Sequence, residues 1–198
     1  QDPPQHTRVR DLVASALSLK RITEMAPRIR RLAQQQLQKF AEREEANSIT
    51  EFAYLFPTLV MCDMLGMEEG EFSWELLAEL NQAVADTFPV FETRALESEE
   101  LALANRQMEF LTAFFDELFQ RRKKNPRDDL TTAMVSAGDG EDALTQEELS
   151  TSVIGLFGAG FETTAHMIGN GLFCLGDNPE QRLKLQHNMT MVDAAVEE

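Results

Sequence analysis

The sequence contains few of the residues that would indicate a disulfide-linked or metal-binding protein. Only two of its 198 residues are cysteines, Cys62 and Cys174, and they lie in separate apolar runs without metal-ligand spacing. We therefore expect two buried, unpaired thiols in a reducing compartment, and we predict a cytoplasmic location. Tandem repeats and low-complexity tracts are absent as well.

Basic residues are also scarce, since 18 Lys and Arg stand against 34 Asp and Glu, for a net charge of -16. The first 50 residues hold nine basic and six acidic residues, whereas the rest hold nine against 28. An acidic body argues against a nucleic-acid partner, and the basic N-terminal part could meet an acidic partner. The same charges are equally compatible with an ordinary solvated surface.

The sequence has one apolar stretch of about the length that spans a bilayer, Val153 to Leu175. Glu162, His166 and Asn170 interrupt it, and no basic cluster flanks it, so we predict no membrane span. A signal-peptide pattern is absent too. The opening residues, Gln1-Asp2-Pro3-Pro4, read like the middle of a chain, and we expect a piece of a longer protein.

Proline is missing from Thr145 to Asn178, which predicts one long buried helix over about 145–178 with Thr145 and Glu148 as a capping box. Such a helix spans roughly 45 Å. One of its sides is bulky: Phe157, Phe161, Thr164, Ile168, Leu172 and Leu175. The opposite side is mostly small, which predicts that something large and flat lies against it: Ser152, Gly155, Ala159, Thr163, His166 and Asn170.

A carboxylate and two hydroxyls lie in the middle of this helix. An ionised Glu162 among apolar residues is costly, so we expect it to line a cavity or to hold its proton. The hydroxyl of Thr163 is expected to bond the carbonyl of Ala159 and, with Gly158 and Gly160 beside it, to bend the helix and open a local notch. The combination predicts a proton-delivery site.

Two possible cationic donors, His6 and Arg10, are one turn apart on a helix predicted from His6 to Leu19. Their spacing suits a dianionic or doubly carboxylated ligand, but it also suits an ordinary exposed pair.

Further helices are predicted from local signals. Pro27 and Pro57 are typical of first helical turns, and Gly66 of a helix end. Another helix is expected to begin within Glu68 to Phe72, and a long amphipathic one to run from about Leu96 to Arg122. The acidic loop at 138–142 lacks the ordered ligand spacing of an EF-hand.

Three motifs resemble those of the cytochrome P450 family. Ala159-Gly160-Phe161-Glu162-Thr163-Thr164 resembles the Ala/Gly-Gly-x-Asp/Glu-Thr-Thr/Ser signature of the central distal helix. Asp2-Pro3-Pro4-Gln5-His6-Thr7-Arg8-Val9-Arg10 is similar to the run that opens the C helix, and Asp128-Asp129-Leu130-Thr131 to the start of the H helix. The resemblance implies a mainly α fold, with residues 1–198 as a single helical segment, C to J helices, of one P450 domain. The family's β-rich and haem-thiolate-loop parts would lie outside this chain.

The resemblance also implies an activity. The longer parent would be a haem-dependent monooxygenase that inserts one atom of O2 into a small organic substrate, by hydroxylation or epoxidation. Its electrons would come from a ferredoxin or flavodoxin with a reductase, and its cofactor would be haem b. Two other classes stay open: a non-enzymatic helical interaction domain, and a peroxide-using or isomerising haem enzyme of the same fold.

By the same resemblance, individual residues receive roles. His6 and Arg10 would contact the haem propionates, and Ala159 and Gly160 would leave room for haem and dioxygen. Thr163 would hydrogen-bond the dioxygen, while Glu162 would relay protons to it. Gly155 and Ala159 would face the substrate.

The family's axial-thiolate loop, Phe-x-x-Gly-x-x-x-Cys-x-Gly, is absent, and neither cysteine has that context. We therefore expect no metal ligand in this chain and an axial Cys beyond its C-terminal end. Glu198 stands where the Glu of the family's Glu-x-x-Arg pair would be. The chain by itself is expected to be inactive.

Overall fold

The computed structural model describes residues 2–41, 43–67, 72–138 and 140–197, and every regular element in those ranges is helical. The α-helices are α1 (Gln5–Ala16), α2 (Leu19–Ala41), α3 (Leu55–Leu65), α4 (Trp74–Thr87), α5 (Ser98–Lys124), α6 (Leu130–Val135), α7 (Gln146–Asp177), α8 (Pro179–His187) and α9 (Val192–Glu197). A π-helical turn, Ile49–Ala53, precedes α3, and short 3-10 turns occupy Phe88–Phe91, Gly140–Asp142 and Met189–Met191.

Some predicted features fall on residues that the structure does not describe. They are the helix start at Glu68, Asp139 of the acidic loop, and Glu198. Within the described residues, α4 begins only at Trp74, because the Ser73 side chain caps it by accepting a hydrogen bond from the Leu76 N–H at 3.2 Å.

Helix α7 lies at the centre of the fold and packs against α3, α4, α5 and α6. Its aromatic side interlocks with α5: the rings of Phe115 and Phe157 lie 5.7 Å apart, and those of Phe157 and Phe161 lie 5.5 Å apart. All three side chains are buried. The bulky side predicted from the sequence is therefore a core face over the N-terminal half of α7.

The C-terminal half of α7 contradicts the prediction of a helix buried along its length. Met167 is 53%, Leu172 43% and Phe173 68% exposed. Cys174 is exposed as well, so its predicted burial is wrong, whereas Cys62 is buried in α3 and has no disulfide partner. The reason is that the core helices cover only the first half of α7. Burial raises the pKa of the Cys62 thiol to about 12.

The two proline signals had different outcomes. Pro57 lies in the first turn of α3, as predicted, and Gly66 ends that helix in the left-handed conformation with φ of 78°. Pro27, by contrast, lies inside α2, which begins eight residues earlier at Leu19. A proline removes one hydrogen bond from a helix interior, and here α2 continues past it. In the described residues, no helix is both long and apolar enough to cross a membrane.

A buried ion pair joins three helices at the side of the core. Arg122 of α5 and Asp129 at the start of α6 are 4% and 6% exposed, and their Nε and Oδ2 atoms lie 2.5 Å apart. Arg122 also donates to the carbonyl of Gly66, and Oδ1 of Asp129 accepts from the Thr132 N–H at 2.7 Å, which caps α6. A side chain at Gly66 would overlap Asp129. The ends of α3, α5 and α6 are thus held at one point.

We predict that Asp129→Ala lowers the free energy of unfolding by about 3–5 kcal/mol, because it leaves the buried Arg122 charge unpaired. Asp128→Ala is the matched control, since the Asp128 side chain is 95% exposed and its ion-pair partner among the described residues is Arg21 at 3.4 Å. Its loss should change stability by less than about 1 kcal/mol. Urea unfolding of both variants measures the difference, and equal losses would contradict the role of the buried pair.

Candidate active site

The N-terminus of α7 is held by a capping box and by a contact from α1. Thr145 and Glu148 form the predicted capping box, with the Glu148 N–H donating to Thr145 Oγ1 at 3.2 Å and the Thr145 N–H donating to Glu148 Oε2 at 2.9 Å. The guanidinium of Arg8 in α1 pairs with Oε1 of Glu148 and donates to the Ala143 carbonyl at 3.0 Å. The Arg8 and Thr145 hydrogen bonds hold the pKa of Glu148 below its usual range. Arg8 therefore positions α1 against the N-terminus of α7.

Two glycines of α7 are explained by close helix packing. A methyl group at Gly158 would lie 2.7 Å from Cγ1 of Val84 in α4, and one at Gly160 would overlap the sulfur of Met61 in α3. Gly160 is among the residues predicted to leave room for haem and dioxygen. Its missing side chain leaves room for Met61, and a contact between its backbone and a cofactor stays a prediction.

The small side of α7 is open along its middle. Gly155, Ala159 and Thr163 are all exposed, and a methyl group built on Gly155 would meet nothing within 4 Å. These three residues are spaced four apart and so form a strip about 12 Å long on one side of the helix. The strip leaves room for a flat group, and contact with a cofactor or substrate stays a prediction.

Thr163 and Thr164 both bond to their own helix. Thr163 Oγ1 donates to the Ala159 carbonyl at 2.8 Å, as predicted, and Thr164 Oγ1 donates to the Gly160 carbonyl at 3.0 Å. The local notch predicted beside them does not interrupt the helix, which is α-helical at every residue from Gln146 to Asp177. Each threonine uses its proton in this bond, so the oxygen of the exposed Thr163 has free lone pairs at the open strip.

Glu162 lies beside the strip and is half-buried. Its carboxylate has no hydrogen-bond or ion-pair partner among the described residues. A carboxylate in this position can exchange protons with water on one side and with a neighbouring acceptor on the other. Its role as a proton relay stays a prediction.

His6 and Arg10 lie on α1, exposed and one turn apart, and their side chains make no hydrogen bond or ion pair with the described residues. The Arg8 pair places α1 near Glu148, which is 11 residues before Ala159 and 15 before Thr163, or about 16 to 23 Å along α7. No described contact joins His6 or Arg10 to the strip. A ligand that bridges them would therefore have to extend from α1 to the middle of α7.

The structure adds one contact that the sequence did not reveal. The hydroxyl of Tyr54, just before α3, lies 3.1 Å from Nε2 of His166 in α7. His166 was predicted on the small side of the helix, but Tyr54 is 112 residues away in the chain and carries no local signal. Among the residues described here, no group of three or more His, Cys, Asp or Glu side chains could hold a metal ion.

Comparison with known proteins gives a consistent result over the whole chain. The family model described as Cytochrome P450 matches residues 1–196. The chain is 32% identical to Cytochrome P450 107B1 of Saccharopolyspora erythraea, covering all of this chain and 45% of that protein. It is also 32% identical to the mycinamicin IV hydroxylase/epoxidase of Micromonospora griseorubida and 30% identical to the vitamin D(3) 25-hydroxylase of Pseudonocardia autotrophica. The chain spans about half the length of these relatives, 45% to 47%.

Comparison with solved structures gives the same result as comparison with sequences. The crystal structure of P450BioI in complex with a hexadecenoic-acid-ligated acyl carrier protein superimposes with a TM-score of 0.86 at 29% identity, over 100% of this chain and 49% of that one. The mixed-function P450 MycG gives a TM-score of 0.81 at 31% identity, over 100% and 48%.

We predict opposite effects for two glycine substitutions on α7. Gly158→Ala should destabilise the protein by about 1–3 kcal/mol, because the stiff Val84 side chain has to shift. Gly155→Ala should stabilise it by up to about 1 kcal/mol, since alanine favours the helix and nothing opposes the methyl group. Thermal or urea unfolding of both variants tests this, and a destabilised Gly155→Ala would show that the strip is not open.

Proposed function

Because the chain belongs to the cytochrome P450 family, we propose that it forms the helical core of a haem-dependent monooxygenase. Its fold class is the predicted one. The chain is a helical segment that superimposes on about half the length of each of two solved P450 structures. The observation that carries the proposal is the open strip of Gly155, Ala159 and Thr163 with Glu162 beside it. We propose that the chain is the central part of a longer protein, in line with its coverage of about half of each relative.

The residues present fit a haem. The strip offers small side chains over about 12 Å, where a flat macrocycle can approach the helix. His6 and Arg10 are exposed donors one turn apart without described partners, which suits two carboxylates at the edge of a porphyrin. When bound, haem b with a cysteine thiolate supplies the activation of O2. That cysteine is proposed to lie beyond this chain, since Cys62 is buried among core helices and Cys174 lies far along the exposed half of α7.

In this proposal Thr163 and Glu162 control protons at the strip. Thr163 Oγ1, whose own proton bonds Ala159, accepts a hydrogen bond from a water or another O–H donor on the open face. Glu162 takes a proton from solvent and passes it towards the Thr163 hydroxyl through water. Gly155 and Ala159 bound the space for a small organic substrate, which would be hydroxylated or epoxidised. Retention of the acid and threonine favours oxygen activation over a peroxide-using or isomerising reaction.

The remaining partners are proposed from charge and family. Nine basic residues in the first 50 offer a surface for an acidic electron donor, a ferredoxin or flavodoxin with its reductase. We also propose a cytoplasmic location. Two relatives carry the names hydroxylase/epoxidase and hydroxylase, which supports the proposed hydroxylation or epoxidation.

The first test of the proposal is an absorption spectrum of the complete protein, reduced and exposed to carbon monoxide. We expect a main band shifted far to the red, because a thiolate donates strongly to the iron. The double variant Cys62→Ala and Cys174→Ala should keep that band, since neither thiol is the proposed ligand. Absence of haem binding would leave a helical interaction domain, and loss of the band only in the double variant would reject the ligand assignment.

The second test concerns proton control. Thr163→Ala in the complete protein should lower product formed per electron about 10- to 100-fold and release peroxide instead, because the hydrogen-bond acceptor on the strip is lost. Thr164→Ala is the matched control, since Thr164 makes the same backbone bond at 3.0 Å but is half-buried beside the strip. Equal coupling in the two variants would reject the role of Thr163.

A further inference from the structure

Tyr54 and His166 make two kinds of contact, and the backbone of Tyr54 is itself fixed by hydrogen bonds. Besides the 3.1 Å hydrogen bond, the two rings meet edge to face, with centroids 6.0 Å apart and planes at 90°. The Tyr54 N–H donates to the Ile49 carbonyl at 3.0 Å, and its own carbonyl accepts from the Thr58 hydroxyl at 2.8 Å. Tyr54 is half-buried against the core, so the position of its hydroxyl is set by packing.

His166 follows Glu162 by four residues on α7. Residues at this spacing are neighbours on a helix surface, with Cβ atoms about 5–6 Å apart. Helical side chains also lean in general towards the N-terminus, which is the direction in which Glu162 lies from His166. Because Tyr54 engages Nε2, the nitrogen that remains is Nδ1, and the carboxylate one turn back has no partner among the described residues.

We propose that Tyr54 and His166 are positioning residues that act through Glu162 and extend its proton path towards solvent. The inference rests on the proposed function and names the groups that return a proton to Glu162 after it has given one up. His166 is exposed, while Tyr54 and Glu162 are both half-buried, so Tyr54 and His166 each keep some access to water. The path thus runs from solvent, through the tyrosine and the imidazole, to the carboxylate.

The proton transfer balances without any other reactant. The Nδ1–H of neutral His166 gives its proton to a Glu162 carboxylate oxygen through a bridging water, while Nε2 takes a proton from the Tyr54 hydroxyl. Tyr54 recovers its proton from water. One proton enters and one leaves, so the ring ends neutral with its proton on Nε2. Exchange of the ring protons with solvent then restores the first tautomer.

The test uses the complete haem-loaded protein with its electron supply. His166→Gln keeps a polar side chain but cannot shuttle a proton between two ring nitrogens, and Tyr54→Phe removes only the hydroxyl. We expect each to lower product formed per electron, by up to about tenfold because water replaces the relay in part. Peroxide release and the solvent deuterium isotope effect on product formation should both rise.

His187→Gln is the matched control, because His187 is exposed on α8 and its ring Nδ1 lies 2.6 Å from its own helix's Leu183 carbonyl. It should leave coupling and isotope effect unchanged. If His166→Gln and Tyr54→Phe behave like His187→Gln, the contact only joins α3 to α7 and the relay is rejected. A wild-type protein that lacks the red-shifted carbon monoxide band would instead reject the proposed function.

A second readout does not depend on turnover. Nitrogen-15 shifts of the His166 ring, measured in the diamagnetic reduced carbon monoxide complex, report which ring nitrogen carries the proton. We expect Glu162→Gln to shift the Nδ1 resonance and Tyr54→Phe to shift the Nε2 resonance. If the Nδ1 chemical shift is the same in Glu162→Gln as in the wild-type protein, the imidazole and the carboxylate do not interact, and the inference is overturned.

Discussion

The close approach of α3 and α4 to the middle of α7 is the constraint on which the rest of the structure depends. At Gly158 and Gly160 the neighbouring helices come so near that an added methyl group would meet Val84 or Met61. This contact turns one side of α7 into core and leaves Gly155, Ala159 and Thr163 exposed on the opposite side. The position of the open strip follows from it, because the helix cannot rotate without losing the packing at these glycines.

Three consecutive polar residues of α7 consequently differ in exposure. Thr163 is exposed on the open strip, whereas Glu162 and Thr164, on either side of it in the chain, are both half-buried. A helix separates successive residues by about 100°, so the three side chains point in three different directions. In the proposed function, that separation places an acid and a hydroxyl at one site without burying the acid in the core.

Two ionic contacts fix the ends of the surrounding helices relative to one another. Arg8 fixes α1 to the capped start of α7, and the buried pair of Arg122 and Asp129 joins α5 and α6 to the end of α3. The pair of Arg8 and Glu148 is partly exposed, so its loss would cost little stability. The pair of Arg122 and Asp129 is buried, so removing one partner would leave a costly unpaired charge. His6 and Arg10 stay available because Arg8, between them, makes the structural contact.

Local chemistry let the sequence determine the length and cap of α7, the back-bond of Thr163, the end of α3 at Gly66, and the family motifs. Tertiary packing decided the rest. Helix α2 continues past Pro27, Cys174 is exposed, and the backbone of Gly160 packs against Met61. Each of these outcomes depends on neighbours that are distant in sequence. The Tyr54 contact with His166 belongs to the same class: no periodicity links residues 112 positions apart, and only the crossing of α3 over α7 brings them together.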